Sequence, residues 1–153
     1  MRYNKIRKMD ISNGPGVRVS VFMQGCTFNC KNCFNKETHD FNGGKEFTDE
    51  IIDKVLELCG KDYIIGLSIL GGEPMHPKNI DGTLKLAKKF NKPVIAFAGS
   101  VTKEAIECNK NGIDAFFPIL RSIVTLEEAM KPENAKVNMT NTAEQVFRLW
   151  NIR

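Results

Sequence analysis

No apolar run in this 153-residue chain approaches the roughly 20 residues that a bilayer-crossing helix needs. A membrane anchor is therefore not expected. The opening segment MRYNKIRKMD is basic but lacks the apolar core of a signal peptide, which points to a cytoplasmic protein. There is no block of one charge sign either. The formal net charge is +4, and Lys and Arg are mixed with acids along DEIIDKVLELCGKD and TLEEAMKPENAK. With no basic patch interleaved with aromatics, nucleic acid is not an expected partner. No G-x4-G-K-[ST] phosphate loop occurs, which argues against kinase chemistry. Internal repeats, low-complexity tracts and obvious linkers are missing too, so one domain over residues 1–153 is expected. Hydrophobic residues at 42% and charged residues at 26% are ordinary globular values and exclude a disordered chain.

What the chain does have is cysteine in an unusual place. Cys26, Cys30 and Cys33 fall within eight positions, in the stretch MQGCTFNCKNCFN, with no fourth cysteine nearby. In a reducing compartment, clustered cysteines more often hold metal or do redox chemistry than form disulfides. Thiolates are soft ligands suited to zinc or iron–sulfur clusters, and structural zinc normally takes four protein ligands. Three cysteines on a four-iron cubane would leave one iron open for a substrate or cofactor. The competing readings are a zinc knuckle completed by His39, Cys59 or Cys108, and plain free thiols. Cys59 and Cys108 fall on helical patterns, where buried apolar roles are expected. His39 and His76 are lone histidines; His76, in the GGEPMHP loop, could line a site or sit on the surface.

The pattern around the cysteines alternates strand and helix. Residues 17–24 alternate as a strand, 48–59 carry helical spacing behind a Thr48 N-cap, and 63–70 form an apolar run of strand length. Residues 80–90 read as a helix, 93–99 as a strand, 102–112 as a short helix and 113–119 as a fourth strand. Thr125 and Glu128 form a capping-box pair, and Ala135, Met139, Ala143, Val146 and Trp150 mark a last amphipathic helix. This order implies an α/β fold with a parallel sheet and right-handed crossovers, doubly wound or a partial barrel. In such sheets the loops leaving the carboxyl ends of strands form the site. The cysteine loop and GGEP, residues 71–74, should therefore be neighbours.

C-x3-C-x2-C after a first strand, with GGEP after the second, resembles the radical S-adenosylmethionine (SAM) enzymes. More narrowly, NGPGVRVSVFMQGC, CFNKETHDFNGGKEFT and LSILGGEPMHPKN are similar to the family of anaerobic ribonucleoside-triphosphate reductase activases, over about residues 1–90. The resemblance implies a truncated radical-SAM-type partial (βα) barrel of about four βα units. It implies a [4Fe-4S] cluster on Cys26, Cys30 and Cys33, whose fourth iron is chelated by the amino and carboxylate groups of SAM. Gly71 and Gly72 would let the ligand approach the backbone, and Glu73 would accept hydrogen bonds from its ammonium. Asn32, Cys33 and Phe34 correspond to the family's segment against the adenine. Arg18, in the NGPGVR turn, would face the partner or the cluster, or simply close a turn. Reduction of the cluster would cleave SAM to methionine and a 5′-deoxyadenosyl radical, which takes hydrogen from a glycine of the reductase large subunit. Flavodoxin or ferredoxin would be the electron donor. Two other readings stay open: an activase of another glycyl-radical enzyme, of the pyruvate formate-lyase type, and a non-enzymatic metal-binding module.

Beyond residue 90 the segments NKPVIAFAGSVTKEA, NGIDAFFPILRSIVTLEEAM and NAKVNMTNTAEQVFRLWNI are similar to the carboxyl-terminal piece of the bacterial glycerate kinase family. Residues 91–153 are accordingly expected to be a glycerate-kinase-like tail that completes the sheet, making the chain a join of two unrelated parts. As a kinase fragment, such a tail could bind or scaffold only.

Overall fold

A computed structural model describes residues 1–151; Ile152 and Arg153, the end of the expected tail, lie outside the described residues. The chain forms two compact units, Met1–Asn91 and Lys92 onward. In the first unit a four-stranded sheet runs in the order β3-β1-β2-β4, with β1 at Arg2–Asp10, β2 at Arg18–Gln24, β3 at Lys45–Glu46 and β4 at Gly66–Gly71. β1 is antiparallel to β2 and β3, whereas β2 and β4 are parallel, with Met23 opposite Gly71 at their carboxyl ends. This is an α/β fold, an open sheet interleaved with helices, consistent with a partial radical-SAM-type (βα) barrel.

β2 is central because both of its faces are covered. Val19, Val21 and Met23 point to one side, where they join Ile52, Val55 and Cys59 of helix α1 (Asp49–Cys59) and Leu86 of helix α2 (Ile80–Phe90) in one buried cluster. Phe22 points to the other side, beneath Lys5 Nζ and Arg7 Cζ at 4.8 and 5.1 Å from its ring centre. α1 forms because Ile52, Val55 and Cys59 recur at three- and four-residue spacing, and Asp49 and Glu50 in the first turn suit the positive end of the helix dipole. Thr48 precedes it as expected, but its side chain makes no cap bond. α2 ends at Asn91 in the left-handed conformation (φ 50°), a geometry asparagine tolerates. Exposed ion pairs, Lys85–Asp49 at 2.6 Å and Lys89–Asp53 at 2.9 Å, join α1 and α2 and contribute little beside the core.

The second unit pairs β5 (Ile95–Ala98) in parallel with β6 (Ala115–Pro118), followed by helices α3 (Leu126–Ala129) and α4 (Pro132–Trp150). Thr125 Oγ1 accepts from the Glu128 N–H at 3.2 Å, as the capping pair predicts. The expected helix over 102–112 is a 3₁₀ run at Lys103–Asn111 with no buried residue, so no packed face draws it into the wider α geometry. Of the expected apolar face of α4, Val146 is buried while Met139 and Trp150 are exposed. Among the described residues no helix is long and apolar enough to cross a membrane.

The expected four parallel strands therefore fall into two sheets, and β1 and β3 were not anticipated. β1 hides from a period-two reading because its pairing with β2 is irregular between Tyr3 and Lys5 and between Arg7 and Asp10. The apolar run 63–70 is strand only from Gly66, and Tyr63 and Ile65 are exposed.

Truncating Leu86, which is fully buried, to alanine is expected to cost about 2–5 kcal/mol in urea titrations. Asp10 adds a pH dependence. Burial pushes its carboxyl up, but hydrogen bonds from Asn13 Nδ2 (2.6 Å) and the Ser12 N–H (2.8 Å), with Arg7 at 3.8 Å, hold it below the usual carboxylate range. Its contribution is therefore complete above the unfolded value near pH 4 and is lost as pH falls through the lower folded value. Stability should drop more steeply below about pH 4 in the parent than in Asp10→Asn, compared by urea titration at neutral and acid pH.

Candidate metal and cofactor site

Two loops leave the carboxyl ends of the parallel pair β2 and β4 and meet directly. The β2–β4 pairing continues past the last strand residues: the Gly72 N–H donates to the Met23 carbonyl and the Glu73 N–H to the Gly25 carbonyl, each at 2.9 Å. Glycine is required on the β4 side for two separate reasons. Gly71 has φ +103°, and a Cβ there would lie 2.8 Å from the Met23 nitrogen. At Gly72 a Cβ would lie 2.5 Å from the Gly25 carbonyl oxygen. Any side chain at this crossing would push the loops apart.

The cysteine loop is pinned at its ends and open in the middle. The Gly25 N–H donates to the Thr38 carbonyl (2.7 Å) and the Cys26 N–H to the His39 carbonyl (3.2 Å). Within the loop the Cys33 N–H donates to the Cys30 carbonyl at 3.2 Å. Asn29 and Asn32 take left-handed conformations (φ 45° and 63°), so Asn32 acts here as a turn residue. Cys26 and Cys33 are half-buried and Cys30 is exposed, and none of the three is in a disulfide. The Asn35 N–H donates to Cys33 Sγ at 3.4 Å. Phe34 is 99% exposed, its ring uncovered.

On the other loop, Glu73 Oε1 accepts from the Met75 N–H at 2.8 Å, which fixes the carboxylate beside the crossing. His76 packs its ring against Phe41, centroids 4.6 Å apart, and its Nδ1 accepts from the Lys78 N–H at 3.1 Å. Cys59 lies in the core cluster of the first unit. Arg18 faces neither loop. It donates to Ser68 Oγ (2.8 Å) and the Leu67 and Pro15 carbonyls (2.9 and 3.3 Å), closing the turn at the opposite, amino end of β2.

The structure thus brings the GGEP turn against the start of the cysteine loop, but it does not converge the thiols. Among the described residues no three His, Cys, Asp or Glu side chains are grouped closely enough to hold a metal ion. The donor chemistry nonetheless fits an iron–sulfur cluster: three cysteines outside any disulfide on one short loop, beside a crossing that only glycine permits. Ligands on such a loop need not be assembled before the metal binds.

Sequence reasoning missed two residues that build the crossing. Gln24, fully buried, donates through Nε2 to the Glu37 and Asp40 carbonyls (2.9 and 2.7 Å) and so holds the segment following the cysteines. Asn79 donates to the Gly25 and Glu73 carbonyls at 3.2 and 3.0 Å. A polar residue ending an apolar strand and one opening a helix look like ordinary boundary residues, because their partners are distant in sequence.

A three-cysteine loop on an α/β sheet, crossed by a glycine turn from the neighbouring parallel strand, is an arrangement whose donors suit an iron–sulfur cluster. Residues 12–137 match the family of the 4Fe-4S single cluster domain, and the chain belongs to that family. The group that this family description names is a single [4Fe-4S] cluster. Similar proteins include the anaerobic ribonucleoside-triphosphate reductase-activating proteins of Salmonella typhi, 39% identical over 93 residues (60% of each chain), and of Escherichia coli K12, 37% over 92 residues (59% of this chain, 60% of the other). That of Enterobacteria phage T4 is 38% identical over 79 residues (52% and 51%). The chain spans about three fifths of the length of the bacterial relatives it matches.

The family match also corrects an expectation. It runs through residue 91 without a break and as far as residue 137, so the chain is one family domain there and not a join with a glycerate-kinase-like part. Short strands and an amphipathic helix satisfy the local patterns of many α/β proteins, and likeness over such segments does not mark a separate origin.

Replacing Gly72 by alanine is expected to lower stability by about 1–3 kcal/mol in urea titrations, by forcing the two loops apart. Gly99→Ala, where a Cβ meets nothing within 4 Å, is the control and should match the parent.

Proposed function

We propose that the chain is a radical-SAM activating enzyme that generates a glycyl radical on the large subunit of anaerobic ribonucleoside-triphosphate reductase. The observation that carries this reading is the crossing of the two motif loops, with the Glu73 N–H on the Gly25 carbonyl at 2.9 Å immediately before Cys26. The family match and the named relatives support it.

Cys26, Cys30 and Cys33 would ligate three irons of the cluster, and having no fourth cysteine beside them they would leave one iron for the amino and carboxylate groups of SAM. When bound, the cluster supplies the electron that breaks the sulfonium carbon–sulfur bond, giving methionine and a 5′-deoxyadenosyl radical. The residues of this chain hold the reactants in place. Gly71 and Gly72 keep side chains out of the approach to the backbone. Glu73 has one carboxylate oxygen tied to the Met75 N–H, and its other oxygen would accept from the SAM ammonium. Asn32 turns the loop between the second and third cysteines, and the uncovered ring of Phe34 would stack on the adenine. Holding the sulfonium next to its electron source makes the transfer intramolecular, which is where the rate gain arises.

The electron would come from flavodoxin or ferredoxin, and the hydrogen from a glycine of the reductase, leaving 5′-deoxyadenosine and a glycyl radical. A cytoplasmic location suits such partners. The test is anaerobic reconstitution followed by iron, zinc and sulfide analysis, then dithionite-driven SAM cleavage. About four irons per chain and 5′-deoxyadenosine are expected from the parent, with no product from Cys30→Ala. Bound zinc in place of iron, or no product from the four-iron parent, would refute the reading.

A further inference from the structure

Asn79 stands immediately before α2, where an asparagine side chain ordinarily accepts a hydrogen bond from the first turn of its helix. Here it makes no cap bond. The residue is 2% exposed, and its amide nitrogen turns away from the helix to two carbonyls. One is Gly25 at 3.2 Å, 54 residues earlier; the other is Glu73 at 3.0 Å. The first closes the peptide that precedes Cys26, and the second lies within GGEP itself. An amide NH2 has two hydrogens, and each finds an acceptor on a different loop.

The Gly25 carbonyl receives two donors, the Glu73 N–H at 2.9 Å and Asn79 Nδ2. One peptide plane before the first cysteine is thereby fixed from two directions. The backbone of Asn79 is anchored as well: its N–H donates to the His76 carbonyl at 2.7 Å, and its carbonyl accepts from the Thr83 N–H at 3.1 Å. The side chain is therefore a short strut between the first turn of α2 and the meeting point of the loops. Buried away from water, it has no competing solvent partner, and its removal would take one of two donors from each carbonyl, leaving Gly25 with the Glu73 N–H and Glu73 with the His76 N–H at 3.1 Å.

We propose that Asn79 is a positioning residue that sets the spacing between the GGEP turn and the cysteine loop, and through it the presentation of SAM to the open iron. The part of this that concerns SAM rests on the function proposed above; the part that concerns the loops does not.

The test compares the parent with Asn79→Ala and Asn79→Ser after anaerobic reconstitution. The serine variant retains one donor and keeps the comparison available if the alanine variant fails to fold. Hydrogen exchange is measured without SAM, and SAM is then titrated against the electron paramagnetic resonance signal of the dithionite-reduced cluster. In Asn79→Ala, peptides covering residues 24–26 and 72–76 should exchange about tenfold faster, while those covering β2 and β4 keep the parental rate. The SAM concentration giving half of the spectral change should rise about tenfold at unchanged iron content, with Asn79→Ser between the two. The proposal is overturned if loop exchange is unchanged, if β2 and β4 accelerate equally, or if the loops loosen without moving the SAM titration. A four-iron parent that shows no spectral response to SAM overturns the function proposed above and the SAM part of this proposal, while the exchange comparison still decides whether Asn79 spaces the loops.

Discussion

The parallel pairing of β2 with β4, prolonged by two backbone hydrogen bonds beyond the last strand residues, is the constraint on which the site depends. Parallel neighbours bring both strand ends out on the same side, so a loop following one strand must pass the loop following the other. Here the register sets Met23 opposite Gly71, and the chains stay within hydrogen-bond distance through Gly72 and Glu73. At Gly71 and Gly72 this path leaves no room for a Cβ, which would meet the backbone of Met23 or Gly25. The GGEP glycines are thus the geometric condition for bringing a carboxylate and a cysteine loop together, rather than a flexible connector.

The core explains why this crossing can be held. β2 is buried on both faces, and the cluster of Val19, Val21 and Met23 with α1 and α2 leaves the strand no freedom to slide. A one-residue slip would turn those three side chains away from the helices and break the Met23–Gly71 register together. The antiparallel strand β1 covers the other edge of β2. The cysteine loop itself, by contrast, is exposed and pinned mainly at its ends, which suits a segment that must close around a group it does not yet hold. Rigidity and looseness lie side by side, and the boundary between them is Gly25.

Much of this is legible in the sequence. The limits of α2 follow from the helical spacing of Ile80, Leu84, Ala87 and Phe90 with Asn91 after them. β2 and α1 follow within a residue for the same kind of reason. The strand β1 does not, since irregular pairing breaks its alternation and its solvent side is basic. The segment Lys103–Asn111 reads as an ordinary helix, but without a buried face it stays 3₁₀. Of the proposed site, the cysteines stand out by their spacing, whereas GGEP alone reads as a turn and is singled out only by the family resemblance. Gln24 and Asn79 do not stand out, because a buried amide is identified by its acceptors, and those are far away along the chain.

The order of residues alone states which side chains are available for chemistry: three closely spaced thiols with no fourth nearby, and a glycine turn ending in a carboxylate. Those choices are local, and local composition is what a sequence states directly. Which loops meet, which carbonyls receive the amide of Asn79, and which strand edge β1 occupies were decided only by folding. They depend on contacts between residues tens of positions apart, whose free energy exists only once the intervening chain has been packed.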